Sequence, residues 1–526
     1  MRLALAVALV ASVVACGPRE PASRAELAFE GVNASGKPAR ITLGDFSGSR
    51  LLVILETGGA WCGTSRDTAA HFDDALGELR GRVDRLDLMT TDRDNAPAEV
   101  DDAAAWQMER AAGVPVGIDS GFAFGAPGML PRVLLVDEAS MEVVDSLANP
   151  STFELRGRVA AALGEPPPDP HEELVDGLFH DNEWRLFQAM AEVPGAPPPD
   201  PTNEVADSPA ARRLGKALFF DAGLSSSKDV SCATCHDPAK ALSDARPQAL
   251  GAALGDRRTP SIALSAHARW QMWDGRADTL WAQALLPFEN PKEMASSRED
   301  VSARVLGAHG DAYRAAFPAA APDATRVFVN AGKAIAAYER TFRVRPTRFD
   351  AYVLGDFSAL SEDEKYGLVV FARSGCTQCH WGPRLTDDAF HVTRVATGRA
   401  DGHADRGRAD GIAAWAESEF RADGPYSAAP ALGQRAHASA ALLGQFKTPS
   451  LRGVAELSFF GHGGKQGALS DVTVAYGSGG LPPDDPRAVG GREPWLSPFG
   501  ETAQWGLVPF LKTLTAETSV PRVGVR

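Results

Sequence analysis

The chain has 526 residues, 44% hydrophobic and 23% charged, with a formal net charge of −15. That length exceeds what one hydrophobic core serves, so about three or four domains are expected. The acidic balance excludes a nucleic-acid binder, which needs basic patches to displace counterions, and the composition is that of a globular protein.

In chain order, Arg2 precedes the apolar run LALAVALVASVVA, too short to span a bilayer but of signal-peptide length. The run closes on Val13-Val14-Ala15-Cys16-Gly17. This resembles a bacterial lipobox and predicts a signal over 1–15 with Cys16 lipidated; the alternative is a plain secretion signal. No later segment is apolar enough to cross a membrane, so an exported, lipid-tethered, periplasmic protein is expected. Gly17 in place of an acidic residue favours the outer membrane.

Residues 16–165 read as an α/β domain. LLVILET (51–57), RLDLMTT (85–91) and RVLLVDE (132–138) have buried-strand length, and SRDTAAHFDDALGELRGRV and STFELRGRVAAALG have helical spacing. The proline clusters GEPPPDP and PGAPPPDP predict a stiff, extended linker over 166–204. Beyond it the chain turns to alanine-rich helices such as PAARRLGKALFF, VFVNAGKAIAAYERTF and TAQWGLVPFLKTL. Ser361 and Glu364 form a capping box for the helix that leads to Cys376.

Of six cysteines, four sit in two CxxCH segments: Cys232, Cys235 and His236, then Cys376, Cys379 and His380. This is the attachment pattern of c-type haem, two thiols for the vinyl groups and an adjacent histidine for iron. Zinc knuckles usually lie closer together and need no histidine after each pair. Two covalent haems are therefore expected, with His236 and His380 as proximal ligands. The last methionine is Met294, so the second haem cannot take a methionine from its own domain. Its distal candidates are Tyr476, one of His391, His403, His437 and His462, or nothing.

RRTPS (257–261), MWDGRADTLWAQALLPFENPKEM (272–294), the stretch from ERTF through CTQCHWGP, and FKTPSLRGVAELSFFGHGG resemble the bacterial di-haem cytochrome c peroxidase and MauG family. The resemblance runs from about residue 200 to the C-terminus and implies two mainly α cytochrome c domains, 205–342 (peroxidatic) and 343–526. It places the family's polar pair on Gln283 and Glu293 and the tryptophan between the haems on Trp273. Glu293 would shuttle a proton between the oxygens of peroxide, and Gln283 would orient it.

The chain departs from the family pattern in three places. The loop after the first haem, 237–258, has no histidine to cap the iron, so that iron is expected to be open when oxidised. The family's second distal ligand lies fourteen residues beyond a histidine that His462 matches, which places Tyr476 there. A phenolate favours oxidised iron; the other reading is a packed aromatic. Arg258 occupies the position of the asparagine that ligates calcium in relatives; a guanidinium cannot ligate a cation, so calcium is doubtful.

In the front domain, GGAWCGTS (58–65) with GMLPRVLLVD (128–137) resembles thioredoxin-like domains, Pro131 standing for the cis-proline opposite Cys62. Ser65 replaces the resolving cysteine, leaving Cys62 as a lone thiol in a docking module, a monothiol or a peroxide-reactive site. The expected function is reduction of hydrogen peroxide with electrons from a small periplasmic donor. The alternatives are a MauG-like oxidase acting on an aromatic side chain of a partner protein, and a non-catalytic electron-transfer cytochrome.

Overall fold

The computed structural model describes residues 24–46, 51–166, 173–318, 323–395, 399, 403–434, 436, 438–516 and 518–520. The signal segment, Cys16 and His437 lie outside these residues. No described helix is long and apolar enough to cross a membrane.

The front unit contains β1 (Ala28–Val32), β2 (Pro38–Thr42), β3 (Leu51–Thr57), β4 (Asp84–Met89), β5 (Val116–Ile118), β6 (Arg132–Asp137) and β7 (Glu142–Ala148). They form one sheet in the order β2-β1-β5-β4-β3-β6-β7. With it pack α1 (Gly63–Leu76), α2 (Val100–Arg110) and α3 (Thr152–Ala162). β3 is parallel to β4 and antiparallel to β6, and every residue of it is buried. Its side chains alternate between faces: Leu51, Val53 and Leu55 meet Phe72 and Val159, while Leu52 and Ile54 meet Phe29, Leu86 and Leu134. A strand covered on both faces requires the unbroken apolar run that LLVILET supplies. The β3-α1-β4 crossover, followed by the β6-β7 hairpin and α3, is a thioredoxin-like fold, and the Leu130–Pro131 peptide is cis.

The described part of the connector, 173–204, is not the extended spacer expected over 166–204. Its helix α4 (Asp181–Ala191) buries Phe187 and Met190 against Phe349 and Tyr352. Arg185 pairs with Asp67 of α1 at 2.8 Å, and Glu183 with Arg373 at 2.8 Å. This helix forms because Leu186, Phe187 and Met190 present one apolar face.

The first helical unit holds α5 (Pro209–Phe219), α6 (Cys232–Cys235), α7 (Leu280–Glu289), α8 (Arg298–Ala316) and α9 (Ala324–Glu339). Leu214, Leu218, Trp281, Leu285, Phe328 and Ile335 share its core. Gly215 lets α5 close on α9, since a Cβ there would stand 1.8 Å from the Ala334 carbonyl.

The second helical unit holds α10 (Arg348–Val353), α11 (Glu362–Arg373), α12 (Cys376–Cys379), α13 (Arg408–Glu417), α14 (Leu469–Gly477) and α15 (Glu501–Thr513). The Ser361 N–H donates to Glu364 at 2.8 Å where α11 begins. The boundary expected at 342/343 is not clean in space. Val344, Phe420 and Ala516, all beyond that boundary, are buried in the first unit's core. These apolar residues are covered there and not by their own unit.

Candidate active site

Two short helices set up two equivalent stations. α6 presents Cys232 and Cys235 one turn apart, and His236 caps it; α12 does the same with Cys376, Cys379 and His380. His236 Nδ1 bonds the Leu242 carbonyl at 3.0 Å, and His380 Nδ1 bonds the Leu385 carbonyl at 2.9 Å. An Nδ1–H given to a carbonyl fixes the tautomer and leaves Nε2 as a ligand atom. Cys235 and His236 line one cavity; Cys376, Cys379 and His380 line another. Burial lowers the basicity of both imidazoles and keeps the thiols neutral. Paired, half-buried thiols beside an anchored histidine fit a covalently attached haem at each station.

The first cavity also receives Gln283 and Glu293. Thr279 caps α7 by accepting the Ala282 N–H at 3.1 Å, which puts Gln283 in the first turn. Glu293 lies in the turn after α7, where Asn290 Nδ2–H donates to its carboxylate at 2.7 Å. Burial raises the Glu293 pKa above its ordinary value, and Arg276 opposes this. Arg276 is itself held by Asp274 at 2.7 Å. Among the described residues lining this cavity, His236 is the one histidine. The 237–258 loop contributes Ala249, Gly251, Gly255, Asp256, Arg257 and Arg258 to the wall.

Trp273 and Arg258 line both cavities. The Trp273 indole N–H donates to the Arg258 carbonyl at 2.9 Å, which fixes the ring between the two stations.

The second cavity brings Tyr476, His391 and His462 together with His380; His403 does not line it. Burial pushes the Tyr476 phenol up to about 12, although the Thr393 hydroxyl bonds it. His462 is buried and stacked on Phe446 at 3.5 Å, and burial pulls it down to about 3. His391 Nε2 bonds Asp387 at 2.8 Å. Its Nδ1 faces Asn95 Nδ2 at 3.1 Å, and the same amide donates to Glu493 at 2.9 Å.

Asn95 belongs to the front unit, and its contact is part of a continuous seam between the thioredoxin-like face and the second station. The Trp381 indole N–H, one residue past His380, donates to the Trp61 carbonyl at 2.6 Å. The Leu130 N–H, beside the cis-proline, donates to Gln378 Oε1 at 3.3 Å. Trp61 packs on His391 at 4.7 Å and on Trp495 at 5.3 Å. Cys62 is fully buried in this seam, with Cys379 packed against the same cluster. Ser65 Oγ–H donates to its sulfur at 3.0 Å, yet burial dominates and raises the thiol pKa. Cys62 is therefore not an accessible redox thiol in this fold.

Sequence reasoning missed Asn290, Arg276, Asn95, the Asp387 partner of His391, and the packing of Trp61 on His391. Asn290 and Arg276 lie within the quoted 272–294 stretch, but a supporting amide or guanidinium there looks like any surface residue. The Asn95 contact spans 296 residues of chain and left no local pattern.

The family model for di-haem cytochrome c peroxidase matches residues 209–358. The methylamine utilization protein MauG of Methylorubrum extorquens is 36% identical over 321 residues, covering 59% of this chain and 79% of that protein. Cytochrome c551 peroxidase of Pseudomonas aeruginosa is 39% identical over 188 residues, covering 35% of this chain and 54% of that protein. Among solved structures, the diheme peroxidase BthA from Burkholderia thailandensis matches with a TM-score of 0.49 at 24% identity, over 61% of this chain and 94% of that one. With both CxxCH stations built alike and this extent of likeness to MauG, the chain belongs to the di-haem cytochrome c peroxidase and MauG family.

Proposed function

We propose that the first cavity reduces hydrogen peroxide and that the second passes oxidising equivalents onward. The protein is an oxidoreductase of the peroxidase type with two c-type haems, whose irons supply, when bound, the coordination site and the electrons. The observation that carries the reading is a glutamate held at the wall of the His236 cavity with a raised pKa, with a glutamine on the same wall. The Glu293 carboxylate takes the proton from the near oxygen of peroxide and returns it to the departing oxygen as water leaves. Asn290 donates to it, and the Arg276 charge works against the rise that burial causes in its pKa. Gln283 orients peroxide with its amide, and Trp273 offers an oxidisable ring between the stations.

With no second histidine among the described residues that line the first cavity, we read this site as open in the oxidised protein. Tyr476 is the ligand we assign to the second station, because it lies in the His380 cavity with its phenol desolvated. These two features favour a second reading, oxidation of an aromatic side chain in a partner protein. Export to the periplasm and a lipid anchor at Cys16 complete the proposal. Its test is steady-state peroxide reduction with reduced cytochrome c as donor. Wild type turns over, and Glu293→Gln loses about 10²–10⁴-fold in kcat/KM. Equal rates in the two proteins would remove Glu293 from the reaction.

A further inference from the structure

Arg258 is a buried cation without an anion. Its side chain is 3% exposed, and its Nη2 bonds the Ser243 hydroxyl at 3.3 Å. Its Nε has no hydrogen-bond partner. The carboxylate whose field favours its charge is Asp244, which is engaged by the Thr259 hydroxyl at 3.0 Å. Burial pulls the guanidinium down to about 10. The neighbouring arginine is a direct contrast: Arg257 pairs with Asp274 at 2.6 Å and with Asp405 at 2.7 Å. Arg452, equally buried, pairs with Asp350 at 2.9 Å. A guanidinium left buried and unpaired is unfavourable, so a carboxylate belongs against it.

The position says which one. Arg258 lines both cavities, and its backbone is fixed on each side, the N–H on the His462 carbonyl at 2.8 Å and the C=O on the Trp273 indole at 2.9 Å. Each haem carries two propionate carboxylates, the anionic group that a haem-binding cavity must satisfy. We infer that Arg258 binds haem carboxylates at the junction of the two cavities, as one fixed positive charge shared by both haems. The inference rests on the two-haem reading, which a haem count per chain checks independently.

A fixed cation favours the ferrous state of both irons, since the reduced haem is one unit more negative. The experiment is spectroelectrochemical titration of the intact protein and of Arg258→Gln and Arg258→Lys, each first shown to carry two haems. Both midpoint potentials fall in Arg258→Gln and stay close to wild type in Arg258→Lys. Treatment with a calcium chelator leaves the wild-type potentials in place. Unchanged potentials in Arg258→Gln would overturn the inference. So would wild-type potentials that follow chloride or phosphate concentration, which would put a solvent anion on Arg258. If Arg258→Gln does not take up two haems, Arg258→Lys decides alone, since displaced potentials with the charge retained would contradict it.

Discussion

Glu293 and Tyr476 are ionisable groups whose pKa burial raises, and each carries a measurable consequence. For Glu293 the sign is fixed by burial. A raised pKa keeps the carboxyl protonated to higher pH, and the reaction needs the ionised form to accept the first proton. The rate of reaction with peroxide therefore falls on the acid side with a midpoint above the ordinary carboxylate range, and Glu293→Gln abolishes that limb. A limb that persists in the variant would assign it to another group. For Tyr476, the desolvated phenol loses its proton readily only if a cation such as ferric iron takes the oxygen. Tyr476→Phe then changes the optical and EPR signature of the second haem and leaves the first unaltered; an unchanged second signature ends the assignment. Much of this site was legible in the residues. The CxxCH repeats are local patterns, and Gln283, Glu293 and Trp273 were reached through the resemblance to the family. What positions them was not: Asn290 and Arg276 act through hydrogen bonding and charge, which a spacing does not reveal.

At the scale of elements, the N-terminus of α1 is used unusually. In a thiol-exchange domain the cysteine before this helix faces a partner, and here that face meets Gln378 and Trp381 of the second station. A maleimide added to the native holoprotein is expected to leave Cys62 unmodified, and to label it once the protein is unfolded. Rapid native labelling would mean that the seam opens. The buried pair of Arg452 with Asp350 ties α10 to the connector, since the same guanidinium also donates to the Met190 carbonyl at 2.6 Å. Asp350→Ala strands that charge and lowers stability by about 3–5 kcal/mol, read by chemical denaturation. A loss below about 1 kcal/mol would show that water or another group replaces the aspartate. Strands β3 and β6 were readable because each carries an apolar run of strand length, and β4 because Leu86, Leu88 and Met89 fall within a run of strand length. The connector was misread because proline content outweighed a three-residue apolar face on α4. The thioredoxin-like motif was visible as GGAWCGTS, but its partner was not, since docking depends on residues more than 300 positions away.

On the scale of the whole molecule, three units close around one line of function: the first cavity, Trp273 with Arg258, the second cavity, and the front unit sealed over it through Trp61 and Asn95. Asn95 and Trp61 meet His391 at the second cavity, so the front unit belongs to that haem's surroundings and is not a free appendage. In the proposed function the first site accepts peroxide without prior reduction and shares the oxidation with the second. The most direct measurement adds one equivalent of hydrogen peroxide to the fully oxidised protein and follows both haems by rapid optical and EPR spectroscopy. Both signals are expected to change together in the first mixing. No change until one haem has been reduced would contradict this expectation, and would mean that some group caps the first iron in the oxidised protein.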